Sequence, residues 1–160
     1  MEELDATDIA LLDQLQQDSS LNNQELAAKV HTSPPTCLRR VKRLRDAGLI
    51  AREIAILDPD KLAPVVGHGL QAVVEITLER QGDEEQQAFE QRVIEDTAVQ
   101  QCYRVSPGPD FVLIVHTRDM PDYLQLAQRL FTGDANVRNV KAFFSMKRAK
   151  FEPRITLPRR

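Results

Sequence analysis

The chain has 160 residues and a formal net charge of −3, with 42% hydrophobic and 28% charged residues. This composition predicts a globular protein of one or two domains and excludes wholesale disorder. The longest apolar run, Phe111 to Val115, has five residues, so a transmembrane helix is not expected. The acidic start predicts no secretory signal, and two cysteines without CxxC spacing favour a reducing cytoplasm.

Charge is unevenly distributed along the chain. Residues 34–52 carry six bases and one acid, whereas residues 1–33 carry seven acids and one base. Residues 53–140 carry fifteen acids and seven bases, and residues 141–160 carry seven bases and one acid. A compact basic block inside an acidic chain indicates either a local contact with a polyanion or the solvated face of a helix rich in Lys and Arg.

The first sixty residues predict three helices, each opened by a capping residue. The caps are Asp5, Asn22 and Ser33, and an acid three residues beyond each of the first two completes a capping box. Pro34 suits the first position of the third helix, and Gly48 is placed to end it. A helix, a tight turn and a second helix, with a stabilising helix before them, form the layout of a helix-turn-helix.

The third helix divides into two faces when its residues are placed at 100° intervals. One face is apolar and is expected in the core: Cys37, Leu38, Val41 and Leu44. The opposite face has small residues followed by arginines and is expected to face DNA: Pro35, Thr36, Arg39, Arg40 and Arg43. Arginine reads guanine edges or binds phosphate, so this face suits a major groove. An ordinary amphipathic helix with a charged outer side is the alternative.

The segment after the third helix predicts a change of domain. Residues 49–57 form either a short two-stranded wing or a strand that leaves the domain. Residues 58–67, with two prolines and a final glycine, predict a linker. The expected divisions are a DNA-binding domain at 1–57, the linker at 58–67, a second domain at 68–150 and a basic tail at 151–160.

The second half predicts alternating strands and helices in the order βαββαβ. Strands are expected at 70–79, 99–105, 111–117 and 137–146, and helices at 83–96 and 119–131. The third strand is wholly apolar, so we expect it at the centre of its sheet. The element order indicates an α+β chain whose second domain is ferredoxin-like, with helices on one face of an antiparallel sheet.

The chain resembles the Lrp/AsnC family of prokaryotic transcription regulators over roughly residues 4–150. The most specific match is Ser33–Leu44, where a Ser-Pro start, a cysteine and a basic run occur together, as in the family's recognition helix. Other matching motifs are Leu4-Asp5-x-x-Asp8, Asn22–Ala27, Gly48-Leu49-Ile50 and Leu57-Asp58-Pro59. The second half resembles the family's ligand-sensing domain, called RAM, at Val74–Leu78, Asp110-Phe111, Asp119-Met120 with Tyr123, and Lys147.

The resemblance implies a DNA-binding transcription regulator, not an enzyme, whose partners are double-stranded DNA and a small amino-acid-type effector. It implies dimers formed through the second domain, which assemble further, often into octamers, with the effector bound where dimers meet. Ser33 would cap the recognition helix and lend its backbone N–H groups to a phosphate. The DNA-binding residues that the resemblance implies are Ser33, Pro35, Thr36, Arg39, Arg40 and Arg43.

The family's effector loop matches Ser106, Gly108 and Asp110. The carboxylate of Asp110 can receive the α-ammonium group of a ligand while N–H groups of the turn receive its carboxylate, or Asp110 can simply close the hairpin. Pro107 and Pro109 depart from the family's pattern and remove two N–H donors. This departure argues against the family's usual mode of amino-acid binding and leaves another ligand, or none, as alternatives.

Other chemistries find little support in the sequence. The three histidines lack metal-ligand spacing, and no catalytic signature or Gly-rich phosphate loop is present, so we predict no catalytic residue, metal or cofactor. Two alternatives to an effector-gated regulator stay open. One is a nucleoid-architectural protein that wraps DNA with little sequence specificity and no effector. The other is an enzyme of amino-acid metabolism with a regulatory second domain.

Overall fold

The structure, a computed structural model, describes residues 4–158. The chain divides into two compact units. The first combines the residues up to Ile56 with those from Lys150 onward, and the second is Leu57–Ala149. The described part of the predicted basic tail therefore groups with the first unit and does not stand apart from both.

Three helices form most of the first unit: α1 (Ala6–Gln17), α2 (Asn23–Lys29) and α3 (Pro34–Asp46). The predicted caps are confirmed. Asp5 and Asn22 each form a capping box with the acid three residues further on. The Ser33 hydroxyl accepts a hydrogen bond from the Thr36 N–H. These caps fix where each helix begins, and so they fix the length of the turn between α2 and α3.

Two left-handed backbone positions lie on either side of α3. His31, in the turn between α2 and α3, has a φ of 54°. This conformation costs a residue with a side chain about 1–2 kcal/mol. Gly48, with a φ of 72°, ends α3 as expected. Its N–H donates to the carbonyl of Arg45 and the Leu49 N–H donates to that of Leu44, the two bonds of a Schellman motif.

The core of the first unit is small and apolar. It contains Leu11, Leu26, Ala27, Cys37, Val41 and Leu44. The prediction that Leu38 joins this core is wrong, because its side chain is 60% exposed. The buried stripe of α3 is narrow, and Leu38 falls just outside its edge.

The C-terminal segment returns to α1 in the first unit. The Gln16 side-chain amide donates from Nε2 to the Ile155 carbonyl at 2.9 Å, and the Ile155 N–H donates to Gln16 Oε1 at 3.1 Å. Leu157 is partly buried. This amide pair holds an otherwise extended segment against the helical unit.

Two predictions for the segment after α3 need correction. Residues 51–58 form neither a wing nor a paired strand within the described part of the chain. The expected linker contains a helix, α4 (Pro59–Val66), capped by Asp58. Pro59 suggested a break, but it occupies the first helical turn, where N–H groups have no intrahelical partner.

The second unit has the predicted βαββαβ order. Its elements after α4 are β1 (Leu70–Leu78), α5 (Asp83–Ile94), β2 (Val99–Arg104), β3 (Phe111–Thr117), α6 (Met120–Ala127) and β4 (Val137–Phe144). A π-helical turn, Gln128–Thr132, continues α6. The sheet is antiparallel with strand order β2-β3-β1-β4, so β3 is central as expected.

The two faces of this sheet differ. One face packs against α5 and α6 around buried residues that include Val74, Ile76, Leu113, Phe89 and Phe131. The opposite face, here called the uncovered face, has neither helix over it. Strand register places its apolar residues in two adjacent rows: Ile114, Val73 and Phe143, beside Tyr103 and Val112. About half of the Tyr103 and Phe143 side chains is exposed.

Candidate nucleic-acid interface and effector loop

The start of α3 is held by short polar contacts. Ser33 Oγ donates to Thr36 Oγ1 at 2.9 Å and accepts from the Thr36 N–H at 3.4 Å. The Asn23 side-chain amide donates to the Pro34 carbonyl at 2.8 Å and so fastens α2 to the beginning of α3. The turn and the helix start therefore form one connected polar network.

This network and the two prolines reduce the number of backbone donors at the start of α3. Pro34 and Pro35 have no N–H. The Thr36 N–H is bonded to Ser33 Oγ, and the Cys37 N–H donates to the Ser33 carbonyl at 2.9 Å. The hydroxyl groups of Ser33 and Thr36 therefore stand among the polar groups that the start of α3 can offer to a phosphate.

Four exposed side chains form the outer face of α3: Pro35, Leu38, Arg39 and Lys42. Their spacing of three, four and seven residues places them on one side of a helix. Of the predicted DNA-facing set, Pro35 and Arg39 lie on this face and partly buried Thr36 lies beside it. Lys42 was missed and Leu38 was assigned to the core. Counting i, i+3, i+4 and i+7 from Pro35 is the signal that finds both.

Arg40 and Arg43 turn toward α1, away from the predicted DNA-facing side. Arg40 Nη1 donates to Asp5 Oδ2 at 2.7 Å and to Asp8 Oδ1 at 2.9 Å. Arg43 Nη2 donates to Asp8 Oδ2 at 2.6 Å. Asp8 is 1% exposed, and a buried carboxylate requires such partners. This set of ion pairs, the Asp8 bridge, joins α1 to α3.

The Asp8 bridge also affects protonation. The Asp8 backbone N–H, and after it the Arg40 guanidinium, lower the pKa of the Asp5 carboxyl. Hydrogen bonds to Asp5 and Asp8 raise the pKa of Arg40. Burial raises the pKa of the Cys37 thiol, which suits its predicted role as a packed residue and not a nucleophile.

The expected effector loop lies between β2 and β3, with Ser106 and Gly108 exposed. Asp110, which directly precedes β3, is buried against the end of β1. Its Oδ2 accepts from the Leu78 N–H at 2.7 Å and from Gln81 Nε2 at 3.1 Å. Its own N–H donates to the Ile76 carbonyl at 2.8 Å. The Asp110 carboxylate therefore ties the start of β3 to the end of β1. The Asp110 carbonyl accepts from the Val105 N–H at 3.0 Å and so closes the β2–β3 hairpin.

The described residues offer neither a membrane span nor a metal cluster. Over residues 4–158, no helix is long and apolar enough to cross a membrane. The same residues include no group of three or more His, Cys, Asp or Glu side chains placed to hold a metal ion.

The fold and the basic outer face of α3 define a helix-turn-helix DNA-binding protein with a second, ferredoxin-like domain. Sequence profiles of two known domains match the corresponding parts of the chain: "Winged helix-turn-helix DNA-binding" over residues 4–51 and "Lrp/AsnC ligand binding domain" over residues 71–155. The chain belongs to the Lrp/AsnC family of transcriptional regulators, which are DNA-binding proteins and not enzymes.

Individual relatives agree with this assignment. An uncharacterised HTH-type transcriptional regulator from Haemophilus influenzae is 34% identical, covering 98% of this chain and 91% of its own length. A leucine-responsive regulatory protein from Rhizobium meliloti is 32% identical over 92% of both chains. Two crystal structures, each 29% identical, cover 96% of this chain and 97% of their own. They are an AsnC family regulator from Agrobacterium tumefaciens (TM-score 0.83) and a Neisseria meningitidis regulator complexed with L-Met (TM-score 0.79).

Proposed function

We propose that this protein is a sequence-specific, cytoplasmic transcription regulator whose assembly and DNA affinity respond to a small amino-acid-type effector. The observation that supports DNA reading is the outer face of α3. Within residues 4–158, neither Arg39 nor Lys42 forms an ion pair, although most other arginines of the first unit do. An unpaired cation on an exposed helix is available to a polyanion.

The side chains of α3 take different roles in this proposal. Arg39 lies in the second helical turn and reads a base edge, since the N-terminal residues of a recognition helix contact bases. Lys42, one turn further on, binds phosphate. The hydroxyl groups of Ser33 and Thr36, on either side of Pro35, bind the DNA phosphate backbone. Arg40 and Arg43, committed to the Asp8 bridge, hold α3 at its angle to α1 and do not themselves contact DNA.

A selection experiment tests this proposal. The full chain is incubated with a library of random duplexes, and bound sequences are amplified and sequenced over several rounds. We expect one motif to be enriched. Arg39→Ala should lower affinity for that motif by about fivefold to 150-fold and relax one of its positions. Arg138→Ala, which removes an exposed arginine of β4, serves as the matched control. Failure to enrich any motif, or equal effects of the two variants, would contradict the proposal.

The uncovered face supports assembly with a second copy of the chain. Val73, Ile114 and Phe143 form an apolar row on the side of the sheet opposite to the one that α5 and α6 cover. A two-fold dimer through this face would bring two copies of α3 to successive half-sites, and dimers would assemble further, up to an octamer.

Light scattering on the full chain tests the assembly. Phe143→Asp should lower the measured mass, because it places a charge in the apolar row. The control Leu124→Asp alters an equally exposed side chain on α6 and should not lower the mass. An unchanged mass for Phe143→Asp would contradict dimerisation through the uncovered face.

The L-Met complex of the Neisseria relative supports an amino-acid-type effector for this chain. In our proposal Ser106 and the exposed backbone around Gly108 contact the effector, and Asp110 positions their loop. A thermal-shift panel of the twenty amino acids tests this part. A ligand at about 100 times its Kd adds about 2.7 kcal/mol and raises Tm by several degrees. A panel without any shift would contradict the amino-acid effector and leave DNA reading unaffected.

A further inference from the structure

We infer that Leu38 is a specificity-determining residue that selects a thymine by contact with its C5-methyl group in the major groove. The inference rests on the proposed DNA-binding function and names one base that the outer face of α3 recognises.

The exposure of Leu38 is not a packing defect. Cys37, Val41 and Leu44 already supply α3 with a buried stripe that meets the core of the first unit. Leu38 lies about 90° around the helix from the centre of this stripe. It is 60% exposed and next to Arg39, in one of the most basic segments of the chain. Single exposed leucines are common, so exposure alone carries little weight. The position matters, because the second turn of a recognition helix lies against base edges.

The chemistry of a leucine side chain restricts what it can recognise there. It has no donor or acceptor, so it cannot pair with the polar edge atoms of guanine, adenine or cytosine. Facing one of those edges, it would displace water without replacing the lost hydrogen bonds. The thymine methyl is the apolar group that the base pairs present in the major groove. Leu38 therefore favours thymine in two ways: it contacts the thymine methyl, and it leaves the polar edges of the other bases without hydrogen bonds.

The neighbours of Leu38 on α3 suit the other contacts expected within the same half-site. Arg39 is the adjacent residue of the outer face and its guanidinium suits guanine O6 and N7. Lys42 lies one helical turn beyond Leu38 and suits a backbone phosphate. We therefore expect the thymine and a guanine in the same half-site, beside a phosphate contact that is insensitive to sequence.

Uracil substitution tests the methyl contact directly. Each thymine of the selected motif is replaced in turn by deoxyuridine, which removes the methyl group and keeps the base pair. Affinities are measured by fluorescence anisotropy for the full-length wild type, Leu38→Ala and Leu124→Ala. Leu124 is the matched control, because it is an equally exposed leucine on α6 in the other unit.

At one position of each half-site, uracil should lower wild-type affinity about fourfold, the effect of burying one methyl-sized group. The Leu124→Ala variant should show the same loss, and Leu38→Ala should show none. A selection repeated with Leu38→Gln should lose thymine at that position, because the amide favours adenine. This second selection also covers the case in which Leu38→Ala fails to fold.

The outcomes distinguish failure of the Leu38 role from failure of the proposed DNA-binding function. If a motif is enriched but uracil is tolerated at every position, the role of Leu38 is refuted and DNA reading stands. The role is equally refuted if uracil weakens Leu38→Ala as much as wild type. If no motif is enriched, the proposed function fails, and the inference fails with it.

Discussion

Replacing Asp8 by asparagine should destabilise the first unit without removing a group from the outer face of α3. The buried Asp8 carboxylate accepts from Arg40 and Arg43, and asparagine would lose the charge and turn an amide donor toward two cations. Removing one partner of a fully buried ion pair costs about 3–5 kcal/mol. The side chains of Arg40 and Arg43 are 24% and 40% exposed, and Arg40 retains its ion pair with Asp5 in the variant. Solvent screening therefore reduces the expected loss to about 2 kcal/mol.

Urea unfolding of the full chain, followed by far-UV circular dichroism, measures this loss. With an m value of about 1–3 kcal/mol/M, the helical transition should move to lower urea by about 1 M. The control is Asp13→Asn, on the same helix, because among residues 4–158 the Asp13 carboxylate accepts hydrogen bonds only from the side chains of Gln16 and Gln17. Its effect should stay within about 0.5 kcal/mol.

A double-mutant cycle isolates the pair itself. Asp8→Ala and Arg43→Ala, singly and together, should show a coupling energy of about 1–2 kcal/mol. Equal midpoints for Asp8→Asn and Asp13→Asn, with no coupling in the cycle, would refute the structural role of the bridge. If Arg43→Ala lowered DNA affinity and left stability unchanged, Arg43 would belong to the DNA-contacting set.

Three further predictions follow from single residues. Lys42→Ala should weaken binding to all duplexes about equally and reduce the slope of log affinity against log salt by about one, measured by anisotropy at several salt concentrations; a loss confined to one motif would contradict a phosphate contact. His31→Gly should raise the unfolding free energy by about 0.5–1 kcal/mol, since glycine accepts a φ of 54° without strain, and a lower urea midpoint would contradict this. The pKa of Asp5 is lowered from 3.8 in the folded state, so its ionised carboxylate stabilises the fold above pH 3.8. This stabilisation is lost as pH falls through the folded-state pKa. The unfolding free energy of Asp5→Asn should therefore fall less steeply with acid than that of the wild type, and identical acid dependence would contradict this.

The elements that the sequence predicted well depend on local rules. Asp5, Asn22 and Ser33 act within three residues of their own positions, and Gly48 acts through its own φ. The order of strands and helices in the second unit also follows from periodicity along the chain. Such features can be predicted without knowing which distant residues pack against them.

The features that the sequence pattern did not determine depend on neighbouring elements. A helical wheel orders the residues of α3 by angle, but it does not say which flank another helix will cover. α1 packs along the flank of Arg40 and Arg43, so these became partners of Asp8, while Leu38 was left outside. The partners of the Asp110 carboxylate likewise lie at the end of β1, with Leu78 32 residues away along the chain.

The pairing of Gln16 with Ile155 has a consequence for synthesis of the chain. The first unit includes residues from before and after the second one, so the second unit is topologically an insertion within it. A ribosome synthesises the last part of the first unit only after the whole sheet has been made, whereas most domains can fold as soon as they emerge. A prematurely terminated chain could thus contain a complete second unit, but it could not contain a complete first one.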